Sequence, residues 1–233
     1  MSALPLAPLD AFLKDLGLSL SDEQADLLAR FYELVNAANS RFNLTAVTDA
    51  ESFVTKHYID SVSSADIFPA GAKVLDLGAG AGLPSVPLAI VRPDIFVTAL
   101  DATAKKVGFI SSSTRALNLK NLTTTAGRAE ERGDLFSKFD FVTARAVTSL
   151  SALIELALPL LKKGGRLVAY KTPADDPKDA AHALSVLGGG FDFLRDYSLP
   201  GGSGERRLLV FKKLADTPHG YPRKWGVIKN RPL

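Results

Sequence analysis

The run "VLDLGAGAGLPSVPLAI", residues 74–90, constrains the chain more than any other stretch. An apolar opening, glycines at alternate positions 78, 80 and 82, and an apolar close describe a strand, a tight turn and a helix. Glycine has no Cβ, so such a turn lets backbone approach a bound nucleoside-like group closely. Ser85 stands between Pro84 and Pro87, in a loop that otherwise favours backbone freedom. The expected place for Ser85 is the first turn of the helix, at negative φ, near the bound group but outside the chemistry. A positive φ there would cost serine roughly 1–2 kcal/mol.

The pattern around this motif sets the fold class. Upstream, Leu9, Phe12, Leu13 and Leu16, then Leu27, Leu28, Phe31, Leu34 and Val35, recur at helical spacing, and Ser21 with Gln24 forms a capping box. "NSRFNLTAVTD" interrupts that pattern and "AESFVTKHYIDSVSSADIF" resumes it. Residues 1–68 read as a small helical N-terminal region, and 69–73 as a linker. Strands are then predicted at 73–78, 95–101, 122–127, 139–145 and 166–171, with helices near 84–92, 103–117, 149–161 and 176–187. Strands alternating with helix-length segments imply a mostly parallel sheet covered on both faces. Two strand-like runs flank "PGGSGE" with no room for a helix, so the sheet ends in a hairpin with an antiparallel strand. The expectation is an α/β domain over 69–214 and a basic tail over 215–233, placed on or near the face of the site.

Five parallel strands and a terminal hairpin are the layout of Rossmann-like S-adenosylmethionine-dependent methyltransferases. The glycine loop agrees. A dinucleotide fingerprint needs a third glycine where Leu83 stands, because a pyrophosphate must sit on the helix N-terminus. S-adenosylmethionine carries no phosphate and needs only a close backbone approach. Asp101 closes the next strand, 19 residues beyond Gly82, where a carboxylate can accept both ribose hydroxyls. A cap for the helix starting at Thr103 is the competing role, and the spacing from the glycine loop favours the ribose. In "GRAEE", Ala129 and Glu130 fall where an adenine edge would be met. A solvated helix start accounts for that pair slightly better on sequence alone.

Absences narrow the reaction. The chain has no cysteine, which removes disulfides, thiolate metal sites and a covalent cysteine adduct of the kind pyrimidine C5 methylation uses. The fourth strand ends in "FDFVTARAVTS", without the proline-rich motif that serves exocyclic amines and without a carboxylate cluster for a metal. A nucleophile needing no deprotonation remains, and guanine N7 is one. Catalysis would then rest on alignment and electrostatics. The start lacks a basic segment before a long apolar core, and the longest apolar run, "SALIELALPLL", carries Glu155. A cytoplasmic protein without a membrane segment is expected. Charge is uneven: residues 212–233 hold six basic residues against Asp216 alone, while residues 1–70 hold ten acidic and four basic ones. The tail is either simply solvated or neutralises phosphates, with Tyr221 and Trp225 stacking on bases or anchoring the tail; Trp225 is the better anchor.

"NLTAV", "HYIDSV", the glycine loop, "DATAKKVGFI", "GRAEE", "FDFVTARAV", "LLKKGGRLVAYK" and "YPRKWGVIKNRPL" occur in this order over residues 43–233. Together they resemble the bacterial small-subunit ribosomal RNA methyltransferase G family, also called glucose-inhibited division protein B. The resemblance implies N7-methylation of a guanosine in 16S ribosomal RNA, with S-adenosylmethionine as donor. It implies that Gly78, Gly80, Leu83, Ala129, Glu130 and Arg145 contact the cofactor, with Asp101, Ala102 and Thr103 around its ribose and adenine. Asn43, His57 and Asp60 match motif residues on the substrate-facing side and, with Arg145, form the catalytic set. Arg223, Lys224 and Lys229 are the RNA-binding candidates, the partner being 16S RNA or the small subunit and the protein a monomer. The residues alone leave room for other roles. His57 and Asp60 lie three apart on one helix face, and His57 reads equally as a structural histidine bonded to Asp60. Arg145 suits the methionine carboxylate, an RNA phosphate, or a pairing with Glu130 or Asp76. A small-molecule methyltransferase and a non-catalytic RNA- or cofactor-binding module are the other functional classes. The family usually has glycine where Ser85 stands.

Overall fold

The computed structural model describes residues 4–233, the side chain of Phe42 excepted. The helical N-terminal region expected from residue 1 is therefore described from Leu4, and residues 1–3 lie outside the described residues. It comprises α1 (Ala7–Asp15), α2 (Asp22–Phe42), α3 (Ala50–Phe53), a π-helical segment Val54–Ile59 and α4 (Asp60–Val62). The capping box at the start of α2 is present in both directions, Ser21 N to Gln24 Oε1 at 2.9 Å and Gln24 N to Ser21 Oγ at 3.2 Å.

Seven strands follow: β1 (Lys73–Leu77), β2 (Phe96–Asp101), β3 (Leu122–Ala126), β4 (Phe139–Arg145), β5 (Leu161–Lys171), β6 (Gly189–Ser198) and β7 (Glu205–Lys213). Their spatial order is β3-β2-β1-β4-β5-β7-β6. β1 to β5 pair in parallel, and β7 runs antiparallel to both β5 and β6. The expected sheet, terminal hairpin included, is the one found. The connecting helices are α5 (Ser85–Val91), α6 (Ala104–Ala116), α7 (Leu150–Ala157) and α8 (Ala181–Leu187), and α9 (Trp225–Asn230) closes the tail.

Two segments differ from expectation. The helix predicted to reach residue 161 ends at Ala157, and β5 begins at Leu161 instead of 166. Pro159 has no amide proton and crowds the carbonyl four residues back, so the chain tightens into a 3-10 turn over Leu158–Leu160 and then extends. The predicted helix at 176–187 is likewise a 3-10 turn, Pro177–Ala180, leading into α8.

Side-chain alternation along β1 assigns its two faces. Val74 belongs to a core shared with Leu9, Phe31, Phe53 and Tyr58 of the N-terminal helices, whereas Leu75 and Leu77 belong to a core formed with α7, α8 and α9. The N-terminal helices are thus a layer on one sheet face and share its core. No helix among the described residues is long and apolar enough to cross a membrane.

Candidate active site

The strand order reverses between β1 and β4, and in open parallel sheets ligands bind outside the carboxyl ends of the strands at such a point. Gly78 follows β1 there, and Arg145 ends β4. All three loop glycines have positive φ, 76° at Gly78, 57° at Gly80 and 86° at Gly82. The reasons differ. A Cβ on Gly78 would lie 2.9 Å from Val147 Cγ2, at the junction of two cavities. A Cβ on Gly82 would lie 2.8 Å from Val86 and 3.4 Å from Phe31, so Gly82 serves the packing of α2 and α5 on the loop.

Beneath the loop sits Asp76, fully buried on the face it shares with Val74. Its Oδ2 accepts from the Ser85 amide at 3.1 Å and from the Ser85 hydroxyl, and its Oδ1 accepts from Thr143 Oγ1 at 3.3 Å. Ser85 is the first residue of α5, completely buried and absent from the positive-φ residues, as expected. Its hydroxyl supplies a buried carboxylate with a donor that glycine would lack. Burial still dominates and raises the Asp76 carboxyl to about 6, with the Ser85 hydrogen bonds opposing the shift.

Two cavities meet at Gly78. The smaller, about 150 Å³, is lined by Asp101, Ala102, Ala129, Glu130, Val147 and Trp225 among others. Asp101 is not the N-cap of α6, which is Thr103 without a side-chain cap; its Oδ1 accepts from the Thr103 amide at 2.8 Å in the turn leading into that helix. Its Oδ2 also accepts from the Gly80 amide at 2.9 Å, so the carboxylate ties the glycine loop to the end of β2. Glu130 is not the solvated residue that the sequence favoured: its side chain is only 6% exposed, and its Oε1 is buried without a hydrogen-bond partner. The 3-10 turn over Ala129–Glu131 folds it inward beside Ala129.

The larger cavity, about 720 Å³, opens on the other side of the loop between the N-terminal layer and the sheet, and Leu83 lines it. Arg145 spans its wall. Its Nη1 donates to Asp60 Oδ2 at 2.9 Å and to the Lys56 carbonyl at 3.3 Å, and its Nη2 lies 3.5 Å from His57 Nδ1. The pairings of Arg145 with Glu130 or Asp76 raised from sequence are corrected to Asp60, because the helical layer brings α4 against the end of β4. His57 and Asp60 do converge on one group, through the π-helical segment, although their side chains do not bond to each other. His57 Nε2 meets Thr45 Oγ1 at 2.7 Å instead. Burial, then the Arg145 charge, lowers the His57 imidazole to about 4, so it is neutral near pH 7. Asp60 also accepts from the Tyr197 hydroxyl at 2.7 Å and has Arg206 at 3.7 Å.

Asn43 does not line the cleft. It is the left-handed C-cap of α2, at φ 46°, and its successors Leu44 and Thr45 line the cleft instead. Arg223 is likewise committed: its Nε and Nη2 bond Glu155 at 2.8 and 2.6 Å. Lys224 and Lys229 are exposed on and beside α9. Sequence reasoning missed Thr45, Thr143, Tyr197, Arg206 and Val147. Thr45, Thr143 and Val147 lay within quoted motifs; Tyr197 and Arg206 carried no local signal, being placed by sheet topology. Among the described residues no cluster of three or more His, Cys, Asp or Glu is arranged to hold a metal.

The family model for rRNA small subunit methyltransferase G matches residues 24–195. The chain belongs to this family. It is 38% identical over 229 residues to ribosomal RNA small subunit methyltransferase G of Staphylococcus carnosus, covering 95% of each chain. It is 42% identical over 224 residues to the protein of that name from an Exiguobacterium species, covering 93% of this chain and 94% of that one. Among solved structures, the fold resembles TYW2 of M. jannaschii in complex with AdoMet, at 16% identity and a TM-score of 0.55 over 66% of this chain and 75% of that one. A SAM-dependent methyltransferase from Aquifex aeolicus matches with 17% identity and a TM-score of 0.53, over 69% and 93% of the two chains. The family makes the chain a methyltransferase, in agreement with the glycine loop, and the solved structures share its fold.

Proposed function

We propose that this chain transfers a methyl group from S-adenosylmethionine to N7 of a guanosine in 16S ribosomal RNA. The observation that carries this is the pair of cavities joined at Gly78, a small pocket with two carboxylates and a large cleft ringed by cations. S-adenosylmethionine supplies an electrophilic methyl group when bound. The small pocket fits its adenosine half. Each Asp101 oxygen already accepts one backbone amide and keeps a lone pair for a ribose hydroxyl. Glu130 Oε1, which has no hydrogen-bond partner, would accept from the adenine amine, beside Ala102 and Ala129. Gly78, Gly80 and Leu83 border the larger side, where the aminoacyl half would pass close to backbone.

The cleft suits a nucleophile that needs no base. His57 is neutral but engaged with Thr45, and the two acids lining the cleft are paired, Asp60 with Arg145 and Asp175 with Lys171. Guanine N7 brings its own lone pair. Lys56, Lys106, Arg145, Lys171 and Arg206 line the cleft and would neutralise RNA phosphates there, with Lys224 and Lys229 as more distant contacts. The protein with tritiated S-adenosylmethionine should label 16S RNA in small subunits, and borohydride–aniline treatment should then cut the labelled RNA at one guanosine. Label without cleavage would rule out N7.

A further inference from the structure

The C-terminal tail is basic in sequence, yet its anchored residues turn inward. Glu155 of α7 is fully buried and accepts from Arg223 three times, from the amide at 2.9 Å and from Nε and Nη2 at 2.8 and 2.6 Å. Tyr221, Trp225 and Leu233 pack on the core beneath α7, and Ile228 is completely buried within it. This seating puts Trp225 in the wall of the small pocket, with Asp101, Ala129 and Glu130, whose Oε1 lies 4.0 Å from Arg128 Nη1 without a hydrogen bond. The same indole borders the cleft between the tail and the turn carrying Arg128 and Glu131.

We infer that the tail is a working part of the methyl donor's site: Arg223, held on Glu155, seats Trp225 against the adenine base, so the tail sets donor affinity independently of RNA. This rests on the adenosine reading of the small pocket. Trp225 contributes a broad π surface suited to a planar base, and Glu130 selects a base bearing an amino group. Trp225 is a cofactor-contacting residue and Arg223 a positioning residue.

Trp225 is the only tryptophan, so its emission reports on this pocket directly. The full-length protein is titrated with S-adenosylhomocysteine while calorimetry measures binding in parallel. The expected result is an emission change that follows calorimetric saturation, reproduced by adenosine but not by methionine. Trp225→Ala should weaken binding about tenfold, the scale of an aromatic–base contact, and Trp225→Phe should recover most of it. Arg223→Met should weaken donor binding and shift Trp225 emission toward that of a solvated indole, leaving KM for RNA at saturating donor unchanged. Calorimetric binding with no change in emission would overturn the inference, whatever the variants do. So would an Arg223→Met effect confined to KM for RNA, which would return the tail to the RNA. Asp101→Ala separates the two ideas. If it loses donor binding while Trp225→Ala keeps it, the tail inference fails alone. Unchanged binding in Asp101→Ala means that the pocket reading itself fails.

Discussion

Asp60 and Glu155 are both buried carboxylates paired with an arginine, but their surroundings differ. Asp60 divides its oxygens among Arg145, Tyr197 and Arg206, which arrive from β4, β6 and β7, and it borders the large cleft. Glu155 takes its three hydrogen bonds, all of 2.9 Å or less, from the single residue Arg223, inside a helix of apolar neighbours. Burying a charge is costly unless it is paired and fully hydrogen-bonded, so both arrangements must be well satisfied. A carboxylate supplied by several elements beside open space can exchange a partner for a ligand. One supplied by a single residue acts as a pin. The first arrangement suits the proposed chemistry, and the second holds the tail in place.

The sharpest test of that contrast is Arg145→Ala. Loss of one preorganised charge facing the cleft is expected to lower single-turnover methylation by about 10²–10³-fold, and Arg145→Lys should restore little because the fork geometry is lost. Wild-type turnover in Arg145→Ala would place Asp60 with Glu155 as a purely structural acid. Glu155→Ala, by contrast, should cost about 2 kcal/mol of stability in urea unfolding, since it removes the charge-assisted hydrogen bonds that hold Arg223 and its amide, while methylation at saturating donor stays near wild type. A large loss of saturated turnover there would break the distinction from the other side.

The pH dependence of stability separates two groups near the cleft. His57 has its folded value lowered from 6.5 to about 4, so the stability linked to its neutral form is present above pH 6.5 and is lost as pH falls toward 4. Asp76 has its folded value raised from 3.8 to about 6, so its contribution is fullest below pH 3.8 and is lost as pH rises through 6. The two oppose each other between pH 7 and 5. Compared with wild type over that range, Asp76→Asn should expose the His57 loss, about 2 kcal/mol, and His57→Gln should expose the Asp76 gain, about 1 kcal/mol. Parallel curves for all three proteins, measured by urea unfolding, would refute both assignments. Ser85→Ala should cost about 1–2 kcal/mol by removing a buried donor from Asp76. The smallest effect expected is at the tail surface, where Lys224→Ala with Lys229→Ala should raise KM for RNA by less than about threefold at moderate salt.

Much of this architecture is legible in the sequence because it is written in local periodicity. The glycine loop, the strand–helix alternation and the Ser21–Gln24 cap each depend on residues within a few positions of one another. Glu130 shows where that legibility ends. A second acidic residue at a turn reads as solvated, and only the inward fold of the 3-10 turn buries it. Arg145 shows it again. Its position at a strand end could be read, but its partner Asp60 lies 85 residues earlier, in a helix whose approach depends on the whole N-terminal layer. Asn43 carried a site expectation by its motif, yet its backbone conformation makes it a helix terminator beside the cleft. For Arg223, charge alone pointed outward, and nothing local revealed the acid on α7 that turns it in.

Ser85 joins both kinds of information. Its sequence neighbours, two prolines and a glycine turn, sufficed to place it in the first turn of a helix at negative φ. Its contact with Asp76 depended on β1 and α5 meeting at the floor of the loop. The sequence by itself determined the element order, the parallel sheet with its terminal hairpin, and the donor-type loop, because these follow from hydrophobic period and backbone freedom over short spans. The tertiary structure alone decided which charges pair, which buried acid keeps an oxygen free of hydrogen bonds and which face the tail covers. Those outcomes depend on burial and on distances of a few ångströms between residues far apart in the chain.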